Sequence, residues 1–244
     1  LKLTQKSRLS TMNKELDFIK DMFDRIAPKY DFLNRLLSMG QDIIWRTQMV
    51  KAANLAKNSR VLDVACGTCD VALEVNSQLK GHSQIFGLDF SFGMLRLGKQ
   101  KLIKKQNSNI ALLNADALNL PFNQQVFDAV FIAFGIRNII DRQRAITSFF
   151  NVLNNGGRVA VLELTTPEKG ILRSLYLLYF QKILPIIGSF FSKHNNAYTY
   201  LPESVLKFPN PVEFSKIMKK AGFENIRFKP MTFGIVTLFI GIKP

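Results

Sequence analysis

The chain predicts an open α/β fold: a mostly parallel seven-stranded sheet flanked by helices, with an antiparallel pair closing one edge. Three observations carry this expectation. Short apolar runs alternate with helical periods through residues 60–164, as parallel strands joined by crossover helices require. The last two strand-like runs, 222–229 and 234–242, have no helix between them, which makes them an antiparallel pair. The first run enters a glycine-bearing loop, VLDVACGTCD (61–70), and then a helix.

Taken in order, residues 15–56 read as helical. Phe18, Met22, Ile26 and then Phe32, Leu33, Leu36 and Leu37 recur at three- and four-residue spacing, with Pro28 and Gly40 as punctuation. Strands follow at 60–65, 84–89, 110–114, 127–133 and 157–164, and helices at 71–79, 91–105 and 141–153. Thr165 to Pro211 is too long for a simple connection, and such an insertion is usually a functional one. In it Leu172, Leu175, Tyr176, Tyr179, Ile183 and Ile186 approximate one helical face. The domain expectation is one unit over 1–244, with a helical cap at 1–56 and an acceptor- or lipid-facing insertion at 165–211.

Lys and Arg number 33 against 18 Asp and Glu, a net charge of +15. That surplus points to an anionic partner and says nothing about fold. No interleaving of aromatic and basic residues typical of strand binding is found, so nucleic acid is not expected. The N-terminal LKLTQKSRLSTMNK is basic without the apolar core of a signal peptide. No apolar run reaches membrane-spanning length, since Arg173, Lys182 and Pro185 break the best one. Cys66 and Cys69 are the only cysteines, and His82 and His194 lie far from them in sequence. A zinc site is therefore not expected, and the low cysteine count suits a reducing cytoplasm.

In such a sheet a ligand sits beyond the carboxyl ends of the strands. Gly67 lets the chain turn closely past it. Asp89 ends the second strand about 20 residues on, where a carboxylate accepts from both ribose hydroxyls. Asp116 follows the third strand and can accept from an adenine amino group. The dinucleotide fingerprint G-x-G-x-x-G is absent, and Asp63 and Asp70 add negative charge near the loop. A ligand with a cationic part fits better than a pyrophosphate, and S-adenosylmethionine has that chemistry.

VLDVACGTCD resembles motif I of the class I S-adenosylmethionine-dependent methyltransferases, which share a Rossmann-like fold. More narrowly, FDRIAPKYDFLNRLLSMGQDIIWR (23–46), NADALNLPF (114–122), FGIRNI (134–139), VLELTTP (161–167) and AYTYLPESV (197–205) resemble the ubiquinone/menaquinone biosynthesis C-methyltransferase family. The resemblance runs from about Phe23 to the C-terminus. It implies methyl transfer to a ring carbon of a prenylated quinol, demethylmenaquinol or the ubiquinone-pathway benzoquinol. It also implies a cofactor site of Asp63, Gly67, Thr68, Asp89, Asp116, Ala117 and Ala133. No metal is implied.

Arg137 and Asn138 then stand on the acceptor side. Arg137 is cast as the stabiliser of a developing phenolate, because arginine does not act as a free base; a structural salt bridge is the alternative. Tyr30 is a candidate for touching the substrate or capping the cofactor, with a packed core tyrosine as the alternative; Tyr198 and Tyr200 are candidates for orienting the ring, and His194 has no family warrant. Two departures matter. Cys69 stands where relatives usually carry glycine, and Ala133 where many carry serine. The second removes one hydrogen bond, worth about 1 kcal/mol. A polyprenyl acceptor and the +15 charge point to peripheral contact with the anionic inner face of the cytoplasmic membrane. A homodimer is compatible with the sequence. The alternatives are a non-catalytic partner in a quinone-synthesis complex, or a methyltransferase acting on nucleic acid or protein.

Overall fold

The computed structural model describes residues 2–167, 170–178 and 196–244, with residues 2–15 as backbone only, and the structural statements below refer to these. A long helix α1 (Lys2–Leu37) and α2 (Gln41–Ala52) precede the sheet. Then come β1 (Arg60–Val64), α3 (Asp70–Gln78), β2 (Gln84–Asp89), α4 (Phe92–Lys104), β3 (Ile110–Asn114) and β4 (Phe127–Ala133). A 3-10 turn (Ile136–Asn138), α5 (Arg142–Val152) and β5 (Leu153–Leu164) follow. The last elements are α6 (Ile171–Leu178), α7 (Asn196–Leu206), α8 (Pro211–Lys220), β6 (Glu224–Met231) and β7 (Val236–Ile242).

The sheet order is β3-β2-β1-β4-β5-β7-β6. The first five strands are parallel, and β7 runs antiparallel to both β5 and β6. The expected fold class is therefore the observed one. The alternation of side chains across β1, β4 and β5 builds two cores. Val61, Phe131 and Leu162 pack under α2 and α3; Leu62, Val130, Ile132 and Val161 pack under α5 and α8. Phe131 is fully buried, and cutting it to alanine would cost about 3–5 kcal/mol.

Three boundaries differ from the sequence reading. Pro28 does not punctuate: α1 runs through it to Leu37. The lost backbone donor leaves one carbonyl a turn earlier without its helical partner, and packing of α1 on α4 and α2 holds the helix. Gly40, with φ 77°, is the real break. β5 starts at Leu153, because Phe127 pairs with Leu153 before the register shifts ahead of Ala129–Arg158. Helix α8 was missing from the sequence reading, although its start carries a full capping box. Asn210 accepts from the Glu213 amide, Glu213 accepts in return, and Pro211 opens the helix.

Candidate active site

The chain leaves β1 toward β2 on one side and reaches β4 on the other, so the crevice lies where β1 and β4 end. Two loops meet there. After β1, Ala65, Gly67 and Cys69 all take left-handed backbone, with φ of 51°, 53° and 72°. After β4, Phe134 does the same at 59°. Gly135 lets the two loops touch: a Cβ there would stand 2.7 Å from Ala65 Cβ.

One chamber, of about 270 Å³, opens along these loops. Gly67, Asp89, Asp116, Ala117, Ala133 and Asn138 line it, and α1 roofs it with Asp17, Ile19, Lys20, Phe23 and Tyr30. Asp89 is 5% exposed. Its carboxylate accepts from the Gly67 and Ser91 amides, each at 2.8 Å, leaving a lone pair on each oxygen for a ligand. Burial pushes Asp89 up to about 6, against the pull of those two amides. Asp116 is exposed, accepts from the Leu118 amide at 2.9 Å, and sits at the far end.

Asp63 and Thr68 stand away from this chamber. Asp63 is 1% exposed and accepts from the Ala72 amide, so it ties β1 to α3. Burial pushes its carboxyl up to about 8, which leaves it mostly protonated at neutral pH. Thr68 donates to Asp31 of α1 and accepts from Lys101 of α4. Asp70 pairs with Lys101 at 2.9 Å and with Arg46 at 3.8 Å. Asp63 and Asp70 therefore do not supply the negative field that the sequence reading gave them: one is neutral, the other is neutralised. Asp89 and Asp116, with Asp17 across the gap, supply the carboxylates instead. Gly67, Asp89, Asp116, Ala117 and Ala133 are brought together in an elongated acidic cleft, which fits an adenosine carrying a cationic sulfonium.

A second chamber, of about 420 Å³, adjoins the first. Its walls are mostly apolar: Met22, Ile26, Leu33 and Leu37 of α1, Trp45 of α2, Tyr176 of α6 and Leu201 of α7. Phe23, Tyr30 and Phe134 line both chambers and form the neck between them. Its polar lining includes Arg137, Arg46, Asp42, Tyr30 and Tyr200. Arg137 Nη1 donates to Glu163 Oε1 at 2.7 Å, and the Arg137 amide donates to Glu163 Oε2 at 3.1 Å. Burial works against the charge of Arg137, but Glu163 and then Tyr30 outweigh it and hold the guanidinium above its ordinary range. Its Nε is buried without a partner. Burial raises the Tyr30 phenol, so it stays a neutral donor near pH 7. Tyr200 donates to Asn138 Oδ1 at 3.1 Å, linking α7 to the turn that carries Arg137.

Glu163, Arg46, Phe23 and Phe134 were missing as site residues from the sequence reading. Glu163 was legible as an acid inside an apolar strand, and Phe134 by its place beside Arg137. Tyr176 of the expected apolar face is buried with Leu33 and Val205. Tyr179, Ile183, Ile186 and His194, and the side chains of Leu172, Leu175 and Tyr198, lie outside the described residues. Cys66 and Cys69 are both buried free thiols. Among the described residues no group of three or more His, Cys, Asp and Glu could hold a metal ion.

Comparison with known proteins agrees with this architecture. Residues 10–243 match the model of the ubiE/COQ5 methyltransferase family. The chain is 46% identical over 226 residues to the ubiquinone/menaquinone biosynthesis C-methyltransferase UbiE of Geotalea daltonii, covering 92% of this chain and 96% of that one. It is 43% identical to the demethylmenaquinone methyltransferase of Thermus thermophilus, covering 91% of this chain and all of that one. Among solved structures, phosphoethanolamine N-methyltransferase 2 of Haemonchus contortus, in complex with S-adenosyl-L-methionine, superposes with a TM-score of 0.64 at 18% identity. That match covers 88% of this chain and 59% of the other, and shows the fold. With the paired chambers, the family segments and near-complete coverage in agreement, the chain belongs to the ubiE/COQ5 methyltransferase family.

Proposed function

We propose that this chain is an S-adenosylmethionine-dependent C-methyltransferase that methylates the ring of a prenylated quinol, demethylmenaquinol or its benzoquinol counterpart, in respiratory quinone biosynthesis. The observation that carries the reading is the neck. An acidic, adenosine-sized cleft and an apolar chamber meet at Phe23, Tyr30 and Phe134.

S-adenosylmethionine, when bound, supplies an electrophilic methyl group on a sulfonium. Asp89 accepts from the ribose hydroxyls and Asp116 from the adenine amino group, while Gly67, Ala117 and Ala133 shape the wall. Phe23, Tyr30 and Phe134 would exclude water and hold the acceptor with the face of its ring toward the neck, which supplies much of the rate gain as positioning. A neutral aromatic carbon is a poor nucleophile, so the acceptor must be the reduced quinol, the neighbouring phenol must give its proton to water, and the methylated ring carbon then releases its own hydrogen as a proton to restore the aromatic ring. Arg137, fixed by Glu163, stays cationic and faces the oxygen on which charge develops. Tyr200 holds Asn138 beside it, and Tyr30 donates without titrating. The reading takes the chain as one methyltransferase domain. Residues 16–46 of the N-terminal cap supply lining to both chambers, and 165–211 contributes an acceptor wall through Tyr176, Tyr200 and Leu201. Among the described residues no helix is long and apolar enough to cross a membrane; the prenylated acceptor and net charge of +15 support peripheral contact with the inner membrane face.

The test is methyl transfer from labelled S-adenosylmethionine to chemically reduced demethylmenaquinol and, in parallel, to the benzoquinol. Transfer to one or both is expected; a bound cofactor with transfer to neither sinks the quinol reading. Arg137→Ala should lower turnover about 10²–10³-fold with little change in cofactor affinity. Because it strands the buried Glu163, Arg137→Lys and a melting curve accompany it.

A further inference from the structure

The second chamber opens between two strained turns that hold large apolar side chains in solvent. Met39 is 88% exposed and Phe233 is 77% exposed, and both line the chamber. Both have left-handed backbone, φ 51° and 57°, which a bulky residue rarely adopts and which is found where function requires it. Trp45 Nε1 clamps the second turn by donating to Thr232 Oγ1 at 2.8 Å. Leu36 at the end of α1, and Ile43 and Ile44 at the start of α2, extend the exposed apolar surface away from Met39 without lining the chamber.

Along the stretch that carries Leu36, Met39, Ile43 and Ile44 the exposed charges have one sign. From Arg25 to Lys51 the exposed charged residues are Arg25, Lys29 and Lys51. The two acids of that stretch are already paired, Asp31 with Lys101 and Asp42 with Arg35 and Arg46. Lys229 is exposed two residues before Met231, on the side of β6 that faces α2. An apolar centre with a cationic rim complements an anionic lipid surface. A second copy of the chain is a poorer fit, because a two-fold interface would set like charges against each other.

Resting on the quinol reading above, we infer that Leu36, Met39, Ile43, Ile44 and Phe233 form the surface by which the chain docks on an anionic bilayer, with the chamber mouth facing the lipid. A chamber of about 420 Å³ accommodates a ring-sized head group. A polyprenyl tail of many isoprene units is longer than that space. With the mouth against the bilayer the tail stays in hydrocarbon while the ring enters the neck.

The experiment is flotation of the full chain with vesicles of phosphatidylcholine and phosphatidylglycerol, compared with phosphatidylcholine alone. The wild type should float with the anionic vesicles, less so at high salt. Ile43→Ser/Ile44→Ser should lower the partition about tenfold or more. Phe233→Ser, on the other turn, should do so independently. Ile43→Ser/Ile44→Ser should retain turnover of a tail-less quinol in solution and lose turnover of the long-chain quinol in vesicles. A wild type that does not float, or variants that float like it, would overturn the docking surface. So would variants that merely convert a dimer to monomer in sedimentation, with partition unchanged. Flotation that depends on the patch, together with no wild-type turnover of either the tail-less or the long-chain quinol, would retain the surface and reject the quinol reading.

Discussion

Asp89 and Asp63 show how burial sorts carboxylates that look alike in sequence. Asp89 reaches about 6 and faces the cleft. Its ionised form accepts from ribose hydroxyls, so cofactor affinity should be flat above pH 7 and fall about tenfold by pH 5, as the carboxylate gains its proton. Calorimetry at the two pH values checks this, and Asp89→Ala should weaken binding at pH 7 and remove the pH dependence. Asp63 reaches about 8. Folded, it keeps a proton that the unfolded chain releases near pH 4, so its contribution opposes folding increasingly from about pH 4 to about pH 8. Asp63→Asn can still accept from the Ala72 amide and does not titrate. Its unfolding free energy relative to wild type, from denaturant melts, should therefore rise between pH 5 and 8 with a limiting slope of about 1.4 kcal/mol per pH unit, and level off above.

Between elements, the cofactor loop is braced from below by α4. A Cβ on Gly98 would stand 2.6 Å from Cys69 Sγ and 3.3 Å from the Gly67 carbonyl oxygen. Gly98→Ala gains about 1 kcal/mol of helix propensity but overpacks a buried contact at about 1–3 kcal/mol. The expected result is a lower melting temperature and weaker cofactor binding. Adding Cys69→Gly should restore both, because the sulfur is gone and a φ of 72° suits glycine. A double-mutant cycle by thermal unfolding measures the coupling, and additivity would refute the contact. The departure at Cys69 is thus accommodated by packing, with Gly98 providing the room. Across the same loop, Lys101 joins Asp31 of α1 to Asp70 of α3, so roof, loop and floor share one ion cluster.

For the whole molecule, the roof is the mechanical consequence of the fold. Helix α1 covers both chambers and is pinned on α4 by Asp24, which accepts from the Ser91 hydroxyl and the Gly93 amide, and by Asp31. A cofactor in the first chamber would pack against α1 through Asp17, Ile19, Lys20, Phe23 and Tyr30. Saturating S-adenosylmethionine should slow amide hydrogen exchange across residues 16–30 more than across α5, and should raise the melting temperature. At a hundredfold excess over its dissociation constant the stabilisation is about 2.7 kcal/mol, or several degrees for a chain of this size. Equal protection of both helices would mean that α1 does not cover the bound cofactor.

Strand runs, the antiparallel pair at the end of the chain and the acids at the strand tips were legible in the sequence. They depend on local periodicity and on the rule that ligands bind beyond parallel strand ends. The runs 84–89, 110–114 and 127–133 coincide with β2, β3 and β4 residue for residue. The FGIRN and FDRIAPKYD segments were legible as a family signature. What each charge does was not legible, because that depends on partners distant in sequence. Asp63 is neutral because the sheet core closes over it, and Asp70 is neutralised by Lys101 and Arg46, which other helices bring to it. Arg137 is positioned because β5 places Glu163 beneath its turn. Periodicity and spacing determined that this chain builds an open α/β sheet with acids at its strand tips, and the family segments carried the methyltransferase reading. Only tertiary packing, which sets dielectric and distance, decided which carboxylates remain ionised there and where the second chamber meets the first.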